Sequence, residues 1–169
     1  VSTDAIVLLK EDHKEMRRLF REFEKAQEGP EGPASRRRKL VDEIVAALTT
    51  HTYLENEVMY PEVRKLVPDL EDDILESYEE HHVADVLCAE LAAMDASDDH
   101  FVAKTTVLIE NVEHHIEEEE QEWFPKVREA LGRNPLQEIG ERMIALRPDA
   151  PRSPSDPKAI KSARHAITA

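Results

Sequence analysis

Residues 51–61 and 115–125 are two copies of one pattern: a histidine, a glutamate four residues on, an aromatic five beyond that, then a proline, at a constant offset of 64 residues. On an α-helix, positions i and i+4 lie about 40° apart and about 6 Å along the axis, so each copy aims one imidazole and one carboxylate at a common point. A second repeat extends the first. His13 is followed by Met16, Leu19, Phe20 and Phe23, and His81 by Ala84, Leu87, Cys88 and Leu91, the apolar residues falling at +3, +6, +7 and +10 in both. The order His13, His51/Glu55, His81, His115/Glu119 has intervals of 38, 30 and 34 residues. That spacing suits one ligand cluster per helix of an antiparallel bundle with short loops.

Helical periodicity supports this all-α reading. Four long segments are expected at about 4–26, 35–66, 70–94 and from a cap at Ser97, Asp98 and Asp99 to about 131. Ser2, Thr3 or Asp4 is expected to cap the first, and a break is expected at 29–33. Gly132 ends the fourth. A short fifth helix is expected at about 135–146, and then Pro148, Pro151, Pro154 and Pro157 recur every third residue, which suits an extended tail. The organisation expected is a four-helix bundle over 1–131 and a short helix with a Pro-rich tail over 132–169. Pro61 and Pro125 fall inside helical patterns, where each should kink or restart its helix.

With 169 residues, one domain with a real core is the default. A formal net charge of −15 argues against nucleic-acid binding, since no basic stripe is present to release counterions. The short cluster Arg36-Arg37-Arg38-Lys39 is expected to cover the start of a helix. No apolar run approaches the ~18 residues needed to span a bilayer, and the N-terminus lacks a signal-peptide pattern. A single cysteine, Cys88, leaves no internal disulfide and fits a reducing compartment. The chain therefore reads as soluble and cytoplasmic, with no nucleic-acid or membrane partner; the sequence does not specify its oligomeric state.

Four histidines at one phase of four amphipathic helices, with two carboxylates beside them, would be costly to bury without a cation. The expected metal ligands are His13, His51, Glu55, His81, His115 and Glu119. Imidazole and carboxylate without thiolate fit iron or manganese better than structural zinc, and six protein ligands exceed one catalytic zinc. Two ions bridged by Glu55 and Glu119 would share them. The competing ferritin-like plan requires two Glu-x-x-His motifs; here the single instance is Glu79 to His82.

The H…HxxxE…H…HxxxE order, with an aromatic-Pro pair after each HxxxE, resembles the hemerythrin-like or HHE cation-binding domain over about 4–131. With its acidic balance and long C-terminal extension, the chain is most similar to bacterial, especially actinobacterial, single-domain members. The resemblance implies an antiparallel four-helix bundle and a non-haem centre of two iron ions with an oxo or hydroxo bridge. It also implies reaction with a small oxidant: peroxide, nitric oxide or dioxygen. Catalase- or peroxidase-like turnover in redox defence and reversible binding or sensing without turnover both stand within it.

One departure bears on that choice. The invertebrate oxygen carriers have a histidine pair four residues apart on the third helix, whereas here Asp85 stands four after His81 and Ser77 four before. Asp85, Tyr53 or solvent is expected in the missing position, favouring ferric oxidant chemistry over oxygen carriage. His82 and His114 lie about 100° round the helix from their neighbours, and His100 and His165 fall in loop and tail. Tyr53 and Tyr60 are expected either to hydrogen-bond at or approach the cluster or to pack at an interhelical seam, and Cys88 and Trp123 to pack in the core.

Overall fold

The computed structural model describes residues 3–27 and 34–168. The expected break at 29–33 and the candidate cap Ser2 lie outside them. Eight α-helices are present among these residues and no strand: α1 (Ala5–Gln27), α2 (Ala34–Leu54), α3 (Tyr60–Leu66), α4 (Glu71–Ala93), α5 (Phe101–Glu118), α6 (Phe124–Leu131), α7 (Arg133–Leu146) and α8 (Pro157–Ala166). Two five-residue π turns, Glu55–Met59 and Glu119–Trp123, splice α2 to α3 and α5 to α6 into continuous rods. The four rods of the bundle are thus α1, α2–α3, α4 and α5–α6, with α1 against α2 and α5, and α4 against α2 and α5.

The expected kinks at Pro61 and Pro125 take a specific form. Proline cannot donate to residue i−4 and its ring clashes with that carbonyl. Widening the preceding turn by one residue resolves this: Tyr60 N–H donates to Glu55 O and Phe124 N–H to Glu119 O, each an i→i+5 bond. Each proline then sits at the start of a new α-helical stretch, where no amide hydrogen is required. The widened turns begin at the two repeated glutamates.

Helix ends are tied from a distance. Asp4 Oδ1 accepts from Val7 N–H at 3.2 Å, and both its oxygens are gripped by Arg128 at 3.0 Å, joining α1 to α6. Arg38 Nη1 donates to the carbonyls of Leu91 (2.8 Å) and Met94 (3.1 Å), satisfying the C-terminus of α4. The basic cluster thus does lie in the first turns of a helix. The cap expected before the fourth helix is not used as such, since α5 starts after His100, whose N–H donates to Asp98, and α4 is led by the 3-10 turn Pro68–Leu70.

The tail differs from an extended strand. α7 packs along α1, and after a 3-10 turn at Arg147–Asp149 the chain is irregular only as far as Asp156. There Asp156 caps α8 by accepting from Lys158 N–H at 2.8 Å, and Pro157 occupies the first helical position. The periodic prolines masked an ordinary Asp-Pro helix start followed by good helix formers. α8 packs against α2 and α4.

The bundle interior is divided. One apolar cluster, including Met16, Phe20, Ile44, Leu91, Phe101 and Val112, fills one end; another, including Ile6, Leu9, Leu54, Met59, Trp123 and Phe124, fills the other. Cys88 and Trp123 are core residues, as expected. Between the clusters lies a buried polar layer: His13, His51, Glu55, His81, His115 and Glu119.

Where α7 crosses the start of α1, Gly140 permits a close approach: a Cβ there would stand 1.7 Å from Thr3 O and 2.9 Å from Ala5 N. Gly140→Ala should therefore destabilise the protein by about 1–3 kcal/mol as an overpacked site, despite alanine's advantage of about 1 kcal/mol within a helix. Thermal denaturation of the variant checks this, and an unchanged or raised Tm would contradict the tight crossing.

Candidate metal centre

All six residues singled out from the repeats meet in the polar layer. α1 contributes His13, α2 His51, α4 His81 and α5 His115, while the two π turns open on Glu55 and Glu119. The Nε2 atoms of His13 and His51 are 3.3 Å apart, and those of His81 and His115 are 3.1 Å apart. Each glutamate reaches both pairs. Glu55 Oε2 lies 3.2 Å from His51 Nε2 and 3.3 Å from His81 Nε2; Glu119 Oε2 lies 3.2 Å from His13 Nε2 and 3.6 Å from His115 Nε2. The result is two histidine pairs with two carboxylates between them.

The opposite edge of every ring faces an acceptor. His13 Nδ1 donates to Glu120 Oε1 (2.9 Å), His51 Nδ1 to Asp12 Oδ2 (3.3 Å), His81 Nδ1 to Asn56 Oδ1 (3.0 Å) and His115 Nδ1 to Glu80 Oε2 (2.5 Å). These partners assign the proton to Nδ1 and turn the Nε2 lone pair inward, the tautomer a metal ligand needs. They also follow one rule. The residue before the first histidine of each half (Asp12, Glu80) holds that half's second histidine. The residue after each glutamate (Asn56, Glu120) holds the first histidine of the other half. None of these four partners was identified from sequence, although Asp12 and Glu80 each directly precede a repeated histidine.

The inward-facing atoms suit a cation. Both oxygens of Glu55 and Oε2 of Glu119 are buried and accept no hydrogen bond, and lone pairs of nitrogen face lone pairs of nitrogen and oxygen at 3.1–3.6 Å. Buried carboxylates left so are costly unless a positive charge lies among them. Without one, protons must substitute. Burial opposes charge on His13 and His115, yet the Glu119 carboxylate and its neighbours raise each to about 9. Burial, then the charge of Glu119, pushes Glu55 up, whereas the surrounding imidazoles hold Glu119 below the usual range against burial. His81 goes the other way: burial, then the charge of His115, lowers it to about 3.

Asp85 and Tyr53, the side chains expected for the missing histidine position, lie elsewhere. Both of those side chains line a separate cavity of about 320 Å³ between α2, α4 and α8, and Asp85 is absent from the His/carboxylate groupings of the layer. Tyr60 instead enters the layer: its O–H donates to Glu119 Oε1 at 2.9 Å and lies 3.3 Å from His81 Nε2. Five residues on an α-helix would carry Tyr60 about 140° round from Glu55; the i→i+5 closure of the π turn brings it back over the same face. Its counterpart in the other half, Phe124, stacks on His13 with centroids 5.8 Å apart and planes at 10°. His82, His114, His100 and His165 are all exposed.

Residues 4–127 match the family model of the Hemerythrin HHE cation binding domain. The structure is similar to the crystal structure of a hemerythrin HHE cation binding domain-containing protein from Mycobacterium kansasii, with a TM-score of 0.67 and 24% sequence identity over 86% of each chain. No curated protein sequence matches the chain.

Glu55→Ala and Glu119→Ala should each lose at least one bound metal equivalent, whereas Glu117→Ala, on the exposed side of α5, should retain all of it. Metal analysis of the three purified variants decides. Equal loss from all three would mean that the buried layer is not the binding site.

Proposed function

The chain belongs to the hemerythrin HHE cation binding domain family, and from that premise we propose that it is a non-haem di-iron protein reacting with a small oxidant (peroxide, nitric oxide or dioxygen) in cytoplasmic redox defence. One observation carries the reading: two inward-facing histidine pairs share two buried carboxylates, three of whose four oxygens lack hydrogen bonds. His13 and His51 would hold one ion, His81 and His115 the other, with Glu55 and Glu119 between them. Nitrogen and oxygen donors without thiolate favour iron or manganese over Cys-rich structural zinc, and six side chains exceed the needs of one catalytic zinc. Iron, when bound, supplies exchangeable coordination positions and one-electron redox steps.

The chain's own groups shape what can react there. Four Nδ1–H bonds lock the imidazoles in orientation. Beside His51, His81 and His115 lies a void of about 10 Å³ walled by Met16, Leu48, Ala84, Val112 and Ile116. Such a space takes about one water-sized molecule. Tyr60 keeps its proton, since burial and then the charges of Glu119 and Glu55 push the phenol well above its ordinary value. Its O–H is thus a fixed donor to Glu119 Oε1 at the edge of the layer.

Protein produced with ample iron should contain about two irons per chain; a reproducible value near one, or zinc alone, contradicts the di-iron centre. Peroxide should be consumed by the loaded protein. A long-lived oxygen adduct with no peroxide consumption would replace turnover with reversible binding. Tyr60→Phe, which removes a single hydroxyl and makes the two halves alike at this position, should keep the iron content while changing the optical spectrum and slowing peroxide consumption. An unchanged spectrum and rate would remove Tyr60 from the chemistry.

A further inference from the structure

Arg147 lies in the 3-10 turn after α7, beyond residue 127 where the family match ends. Its guanidinium holds Asp12 with two nitrogens, Nη1 to Oδ1 at 3.1 Å and Nη2 to Oδ2 at 2.8 Å. Asp12 Oδ2 in turn accepts from His51 Nδ1, and His51 Nε2 faces Glu55. A two-pronged guanidinium contact fixes the plane of a carboxylate, as a single-point ammonium does not. The carboxylate then fixes the tautomer and rotation of the imidazole behind it.

The two halves differ at this point. Glu80, which occupies the place of Asp12 in the second half, holds His115 but has no arginine bonded to it among the described residues. Glu120, behind His13, is held by Arg17, which belongs to α1 itself. Among the four supports of the histidines, the one behind His51 is therefore the one completed from the segment that follows the bundle.

We infer that Arg147 is a positioning residue for His51, through Asp12, so that the segment after the bundle sets how tightly one of the two metal positions is filled. This rests on the di-metal reading above. The competing explanation is that Arg147 merely pins the segment to α1, a partly exposed ion pair of small worth. The two differ in what they change. Pinning affects stability alone, whereas positioning affects one metal equivalent and the state of one imidazole.

The test is an anaerobic Fe(II) titration of full-length wild type, Arg147→Ala, Arg147→Lys and Arg142→Ala, with the His51 tautomer of each metal-free protein read by ¹⁵N NMR. Arg142 is on α7 and pairs with Glu62 at 2.8 Å, away from the histidines, so it controls for loss of a surface ion pair in the same segment. Arg147→Ala should bind one equivalent like wild type and the other about 10–100-fold more weakly, with a smaller share of the Nδ1–H form at His51. Arg147→Lys should fall between the two, and Arg142→Ala should match wild type. Wild-type affinity for both equivalents in Arg147→Ala, or an equal weakening of both, would overturn the inference. Should wild type take up fewer than two equivalents, the di-metal reading fails, and the NMR comparison alone decides the link: an unchanged His51 tautomer in Arg147→Ala would overturn it.

Discussion

Two carboxylates, three of whose four oxygens accept no hydrogen bond, lie at the middle of an otherwise apolar bundle, and the rest of the structure is arranged around that burden. A buried charge is tolerable only with a counter-charge close by. Here the four imidazoles face the carboxylates from four different helices, so the layer holds α1, α2, α4 and α5 to a common level. Behind the imidazoles stands an outer ring of Asp12, Asn56, Glu80 and Glu120, and behind two of those stand Arg17 and Arg147. The apolar clusters on either side bury the layer without sharing its polarity. A cation at the centre would supply the positive charge that the buried carboxylates lack.

The fold was largely legible because its signals are local and periodic. Histidines at one phase of four apolar stripes specify which faces turn inward, and the interval between them specifies how the helices return. The six candidate ligands follow from the same arithmetic, and they do meet in one layer. What the arithmetic left open for Tyr60, a contact with the cluster or packing at a seam, has a single physical origin. Expectations for Asp85 and Tyr53 assumed a uniform helix; Asp85 does lie one turn from His81, but on the side facing α8. Tyr60 came into the layer because the turn before it is wider, and that widening has no periodic signature. The one trace of it in the sequence is a proline six residues past each glutamate.

The C-terminal segment illustrates a second kind of limit. Prolines at every third position describe a chain that avoids helix, and that description holds only up to Asp156. A capping side chain with proline at the first helical position was present in the sequence, but the repeat hid it. The contact of Arg147 with Asp12 joins residues 135 positions apart. No local pattern could have paired them.

The π turns have a consequence for how this molecule can change over evolutionary time. Each holds one residue more than an α-helical turn, and the face presented by everything after it depends on that surplus. Loss of one residue between Glu55 and Tyr60 would let the turn close as an ordinary α-helical one, with Tyr60 four residues and about 40° from Glu55, so that Tyr60 and Val63, both fully buried, would keep their face. A deletion there is absorbed by narrowing the turn, whereas an insertion into an already widened turn would rotate the whole following face by about 100°. Within these two pentads the protein should therefore tolerate the loss of a residue better than the gain of one.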